Sequence, residues 1–148
     1  MPLPMLNEVV VLPLGIRDCD IDEVGARFGN FQSSDRRPTI WRRFQEYFAE
    51  ARRSGIIKEL LLDGSFVTAK PDPNDIDIIV VVASDHDFRS DLPISDYNLL
   101  AQNRVRRRFG FDIVVVKDGS EDYRDAIAFF QQVRQRPGLL KGLLRLRL

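Results

Sequence analysis

The apolar positions of this chain change period as the chain advances, from an irregular start through a helical stretch to short unbroken runs. Residues 2–15 are punctuated by prolines and end in "LPLG", which predicts an extended arm. "DIDEVGARFG" (20–29) predicts one short helix stopped by Gly29, and "NFQSSDRRP" (30–38) a polar loop. From Pro38 to Ser54 the pattern is strongly helical: Ile40, Trp41, Phe44, Tyr47, Phe48 and Ala51 recur on one continuous face. Asp35 is the expected cap, Pro38 suits the first turn, and Gly55 ends the helix. Arg36, Arg37, Arg42, Arg43, Arg52 and Arg53 are left to its outer side and read as a solvated row.

The second half reads differently. "IIKELLLDGS" (56–65), "DIDIIVVVA" (75–83) and "FDIVVV" (111–116) are short apolar runs, β-branched in the last two, and predict buried strands. Between the last two lie a polar loop (84–93) and "SDYNLLAQNRVRRRFG" (95–110), a helix with Ser95 as cap and Gly110 as stop. "SEDYRDAIAFFQQVRQR" (120–136) predicts an amphipathic helix with Tyr123, Ile127, Phe130 and Val133 inward, and "GLLKGLLRLRL" (138–148) fits either a helix or a closing strand. The order implies an α/β (α+β) fold with one small mixed sheet flanked by helices. No repeat or linker divides it, so one domain is expected over 1–148, with an N-terminal extension at 1–54 and a core at 56–117.

Composition narrows the function classes without choosing among them. The 22 basic and 22 acidic residues cancel, so no global field argues for a nucleic-acid or membrane partner. The balance is uneven, with 11 Lys/Arg against 17 Asp/Glu over 1–100 and 11 against 5 over 101–148, which points to local patches. The one cysteine, Cys19, excludes an internal disulfide and sits between Asp18 and Asp20, where a thiolate is disfavoured; it reads as a spectator. The start "MPLPMLNEVV" lacks the basic-then-apolar pattern of a secretory signal, and no run approaches the ~20 apolar residues that cross a bilayer. A cytoplasmic protein is expected.

Against this background two carboxylates stand out. In "LLLDGSFVTAKPDPNDIDIIVVV" (60–82), Asp75 and Asp77 open a strand whose body is entirely apolar. Side chains two apart on a strand share a face, roughly 6.6 Å apart at the backbone. Carboxylates so spaced repel one another unless a cation joins them, and magnesium is hard and oxygen-seeking, its shell usually completed by substrate phosphates. Asp112 opens "FDIVVV" as Asp77 opens its own run, and if the strands are neighbours the two lie about 4.8 Å apart across the sheet. Gly64 and Ser65 follow the preceding strand in a turn whose backbone N–H groups and hydroxyl suit a phosphate. Haloacid-dehalogenase-type phosphatases also carry D-x-D, but there the apolar strand precedes the first aspartate, whereas here it follows. Lys70 lies between turn and D-x-D, within range of a triphosphate or simply in solvent. Asp85, His86 and Asp87 read as loop polarity, and Arg106, Arg107 and Arg108 as a solvated helix end in preference to the contact of an acidic partner.

"GSFVTAKPDPNDIDIIVVV" followed by "FDIVVV" resembles the nucleotidyltransferase superfamily to which DNA polymerase beta belongs, and in particular its small, minimal prokaryotic members. The family pattern is a strand, a Gly-Ser turn with a short helix, a strand carrying D-x-D, and a third carboxylate on a later strand. The resemblance covers about residues 56–117; Val67-Thr68-Ala69 and Asn74 stand where many minimal members carry a further glycine and a serine. It implies that Gly64 and Ser65 hold the β- and γ-phosphates of a nucleoside triphosphate, ATP being the expected one. It also implies that Asp75, Asp77 and Asp112 ligate Mg²⁺ (or Mn²⁺), and that Asp112 helps activate an acceptor hydroxyl. The implied reaction moves a nucleoside monophosphate to a protein or small acceptor and releases pyrophosphate. Because no large helical domain follows the core, a protein partner or homo-oligomer is the expected complement, rather than nucleic acid. The alternative is an interaction module on the same fold, such as an antitoxin or regulatory partner with weak or no activity.

Overall fold

In the computed structural model the described residues are 12, 14–29, 36–68, 76–88, 91–133, 138 and 140–148. They form β1 (Ile16–Asp18), α1 (Ile21–Phe28), α2 (Arg36–Ser54), β2 (Ile57–Asp63), a 3-10 turn (Ser65–Val67), β3 (Asp77–Val82), α3 (Ile94–Leu100), α4 (Gln102–Phe109), β4 (Asp112–Lys117), α5 (Glu121–Phe130) and β5 (Leu143–Arg147). One open mixed sheet runs in the order β1-β5-β2-β3-β4. The pairs β1·β5 and β3·β4 are parallel; β2 is antiparallel to both of its neighbours, β3 and β5. The mixed α/β class expected from the sequence is the one the chain adopts.

The two faces of the sheet are covered unequally. On one side α1, α2, α3 and α4 pack onto Leu60, Leu62, Ile78, Val80, Ile113, Leu144 and Leu146, giving a large aromatic-rich core. Trp41 stacks on Phe66 with ring centroids 6.1 Å apart, and Tyr47 meets Phe109 and Phe111 edge-on at 5.4 and 5.5 Å. On the other side, among the described residues, α5 is the helix that covers Leu61, Ile79, Val81, Val116 and Leu143, through Tyr123, Ala126, Ile127 and Phe130. Strands buried on both faces need apolar residues at every position, which is why Ile78 to Val82 shows no alternation.

Local chemistry accounts for the helix ends. Asp20 and Glu23 form a capping box at α1, with the Glu23 N–H donating to Asp20 Oδ1 at 2.8 Å. Gly25 permits the close approach of α2, since a Cβ there would stand 2.7 Å from the Trp41 ring. The helix expected over 95–110 is in fact two, α3 and α4, broken at Ala101 (φ −84°, ψ 113°). The Tyr47 hydroxyl donates to the Leu99 carbonyl at 2.7 Å, so that carbonyl has a tertiary partner where a continuous helix would give it a backbone one. Ser95, the expected cap, falls inside α3, whose N-cap position is taken by Pro93 without a side-chain cap. The helix expected to reach 136 ends at Phe130, because the chain folds back: Lys141 N–H donates to the Gln131 carbonyl at 2.8 Å. Val133 therefore lies beyond the helix. The ambiguous tail is a strand, β5, and it occupies an interior position of the sheet. Of the N-terminal arm, Leu12 and Gly15 are tied to this tail through the Gly142 and Leu143 N–H groups at 2.9 and 3.0 Å. Asp35, the expected cap of α2, lies outside the described residues.

Arg37 corrects the reading of a solvated arginine row. Its side chain is fully buried, donating to the Phe28, Phe66 and Thr68 carbonyls at 2.9, 2.6 and 2.6 Å, with its guanidinium 5.3 Å from the Phe66 ring centroid. Burial lowers its pKa to about 10. It belongs to the first turn of α2 and turns inward to satisfy backbone that leaves both α1 and the 3-10 turn. Arg42, Arg43, Arg52 and Arg53 are exposed as expected.

Candidate functional site

Three strands bring carboxylates to one end of the sheet. Asp63, the last residue of β2, is in register with Asp77, the first of β3, and Asp77 with Asp112, the first of β4. Neighbouring strands lie about 4.8 Å apart, so these three positions form a straight row about 10 Å long. All three point the same way. Asp63 follows Leu61 by two on β2, while Ile79 and Val114 follow Asp77 and Asp112 by two, and Leu61, Ile79 and Val114 all pack on the α5 face. Like charges directly opposite one another destabilise a sheet, so the row must be compensated.

Asp63 and Asp112, at the two ends of the row, each meet a cation of this chain. Asp63 is 4% exposed, and its Oδ1 lies 2.7 Å from Lys141 Nζ, itself largely buried. Asp112 is open to solvent, and its Oδ1 accepts from Arg106 Nε at 2.7 Å, with Arg106 Nη2 converging on the same oxygen. Asp77 is the half-buried centre of the row. The Arg106–Arg108 cluster is exposed at its helix end yet also meets acidic partners within the chain: Arg106 holds Asp112, and Arg108 Nη1 holds Glu50 at 2.9 Å.

The turn beside this row is set by Gly64, which is buried and has φ 93°, a conformation that a side chain would strain. It ends β2 sharply and leads into the 3-10 turn, closed by the Val67 N–H and the Gly64 carbonyl at 3.3 Å. Arg37 then fixes the Phe66 and Thr68 carbonyls that follow, so the turn is anchored from beneath. Of the residues singled out in the sequence, Gly64, Asp77 and Asp112 gather at this end. The backbone of Ser65 is in the 3-10 turn while its hydroxyl, like Lys70 and Asp75 altogether, lies outside the description. Asp63, Lys141 and Arg106 are additions. Asp63 was readable in principle, since an antiparallel β2–β3 pair joined through a turn brings the end of one strand beside the start of the next.

The donor set is hard oxygen, which suits magnesium or manganese, and magnesium is commonly held by only one or two carboxylates with phosphates and water. Asp77 and Asp112 are the residues that would hold it. Among the described residues no group of three His, Cys, Asp or Glu side chains is arranged to hold a metal ion. Asp85, His86 and Asp87 follow the far end of β3, away from the row. Two cavities of about 250 and 260 Å³, one lined by Asp18, Cys19 and Arg145 and the other by Glu50, Ser54 and Ser95, include no residue of the row. Burial and the charges of Glu23, Asp20 and Asp18 raise the Cys19 pKa to about 12, as befits a spectator thiol.

Fold and site together define an open mixed α/β protein with a compensated acidic row at one sheet end. A family model described as DUF6932, a family of unknown function, matches residues 4–147, and the chain belongs to that family. No curated protein and no solved structure matches it. No helix among the described residues is long and apolar enough to cross a membrane.

Proposed function

We propose that this protein is a metal-dependent nucleotidyltransferase of the cytoplasm, moving a nucleoside monophosphate from a triphosphate such as ATP to a protein or small acceptor. The observation that carries the reading is the register of Asp77 with Asp112 on one face, beside the Gly64 turn. The antiparallel β2–β3 pair joined through that turn, followed by a parallel strand opening on a carboxylate, agrees in order with the resemblance in the sequence. A divalent cation held by Asp77 and Asp112 would neutralise charge on the phosphates during in-line displacement at the α-phosphorus. The backbone N–H groups around Gly64 would receive the phosphates. Asp112, the most open of the three carboxylates, would take the acceptor hydroxyl proton as pyrophosphate leaves.

The test is pyrophosphate release and transfer of α-phosphate label, measured with each of the four nucleoside triphosphates in Mg²⁺ and in Mn²⁺. Asp77→Asn should abolish both, together with any stabilisation of the wild type by the metal. No release with any triphosphate, and no shift of the melt by either metal, would sink the reading. A second reading is favoured by the ion pairs: Lys141 on Asp63 and Arg106 on Asp112 offset two of the row's three charges internally, as suits an inactive interaction module. In that case Asp77→Asn leaves every measurement unchanged apart from stability.

A further inference from the structure

We infer that Arg106 is an exchangeable latch on the site: its guanidinium holds Asp112 in the empty protein, gives way to a divalent cation, and turns to the anionic substrate that arrives with it. The inference rests on the reading of Asp77 and Asp112 as metal ligands. Its basis is the contrast between the two ion pairs of the row. Lys141 and Asp63 are 16% and 6% exposed, so parting them strands a charge away from water. Arg106 and Asp112 are 68% and 55% exposed, and an open pair of this kind is weak and readily exchanged. A cation entering at Asp77 and Asp112 therefore competes with Arg106 and leaves Lys141 in place.

Geometry keeps the displaced group close. Arg106 is in the last turn of α4 and only six residues from its partner, with the left-handed Gly110 (φ 83°) between them. Both donors, Nε and Nη2, converge on Asp112 Oδ1, so the fork is spent on one oxygen where a phosphate would offer several. A second guanidinium stands at the same turn: Arg43 Nη1 is 2.9 Å from where a Cβ on Gly110 would lie. The side of the row next to β4 is thus supplied with cations suited to a polyphosphate once the metal has taken the carboxylate.

A sign reversal separates this role from a structural one. Mn²⁺ binding is titrated by the electron paramagnetic resonance of the free ion, first alone and then with a non-hydrolysable ATP analogue. Arg106→Gln should bind Mn²⁺ alone about two- to fivefold more tightly than wild type, the value of an exposed pair expressed as affinity. The same variant should bind the Mn²⁺–analogue complex more weakly than wild type. Arg106→Lys, which keeps the charge but loses the fork, should fall between them, and serves alone if Arg106→Gln does not fold. Arg108→Gln, on the same helix as Arg106 but paired with Glu50 of α2, should change neither quantity. Equal Mn²⁺ affinities in wild type and Arg106→Gln, or tighter binding of both metal and complex, overturn the latch while leaving the metal site standing. No Mn²⁺ binding by any of the proteins overturns the metal site and the latch with it.

Discussion

The two faces of the sheet solve the same problem with different materials. The face under α1 to α4 is closed by stacked aromatic rings and a buried arginine that donates to three backbone carbonyls. The face under α5 is covered, among the described residues, by that ten-residue helix, which has no fully buried residue, and at its end the face carries the row of carboxylates. Covering one face thickly leaves the other thin enough to keep charged groups within reach of solvent. The aromatic core and the acidic row thereby lie on opposite sides of the same sheet.

The largest test of this contrast is truncation of an aromatic on each face. Phe44→Ala, fully buried against Trp41, Phe48 and Phe111, should cost about 3–5 kcal/mol in urea denaturation. Phe130→Ala, only partly buried on the α5 face, should cost about 1–2 kcal/mol. Equal losses would erase the distinction. Next comes Arg37→Met, which strips the donor from three carbonyls and should cost about 3 kcal/mol. Faster amide exchange at Phe66 to Thr68 should accompany it, and unchanged exchange there would mean that the turn is held by something else.

On the thin face the expected losses are ionic. Asp63→Asn leaves the Lys141 ammonium poorly hydrated and should cost about 2–3 kcal/mol, whereas Asp112→Asn should stay within about 0.5 kcal/mol. A reversed ranking would show that the exposed pair, not the buried one, secures this end of the sheet. The smallest effect is with pH. Folding raises the Cys19 pKa from 9.0 to about 12, so the unfolded chain loses that proton first. Stability should be intact below pH 9 and fall as the pH rises from 9 toward 12. Burial of Tyr47 acts in the same direction, so Cys19→Ala should flatten the curve only in its lower part. An unchanged curve for that variant would show that the thiol is not buried as described.

How far the sequence reveals these features depends on range. β2, β3 and β4 are legible because unbroken β-branched or leucine runs between turn residues have few other meanings, and Asp77 and Asp112 are legible because they interrupt such runs at the same point. β1 is not, since three residues of mixed polarity take strand geometry only from β5, more than a hundred positions away. The break at Ala101 has no proline or glycine to announce it; it accompanies a hydroxyl contact from Tyr47, 52 positions earlier. Arg37 reads as surface because burial of a guanidinium depends on three carbonyls that come from elsewhere in the chain. Lys141 is beyond reach for the same reason, its partner being Asp63.

The position of β5 has a consequence for the order of assembly. The latest strand to leave the ribosome is not at an edge but between β1 and β2, so the sheet has a gap in its interior until residues 143–147 have been made. β1, made first, has no neighbour until then, while β2, β3 and β4 can already pair. Such long-range closure is slow and leaves strand edges open meanwhile. The nascent chain should therefore wait as a three-stranded intermediate with the β2 edge exposed, and it is at that edge that a chaperone, or a second nascent copy, would find it.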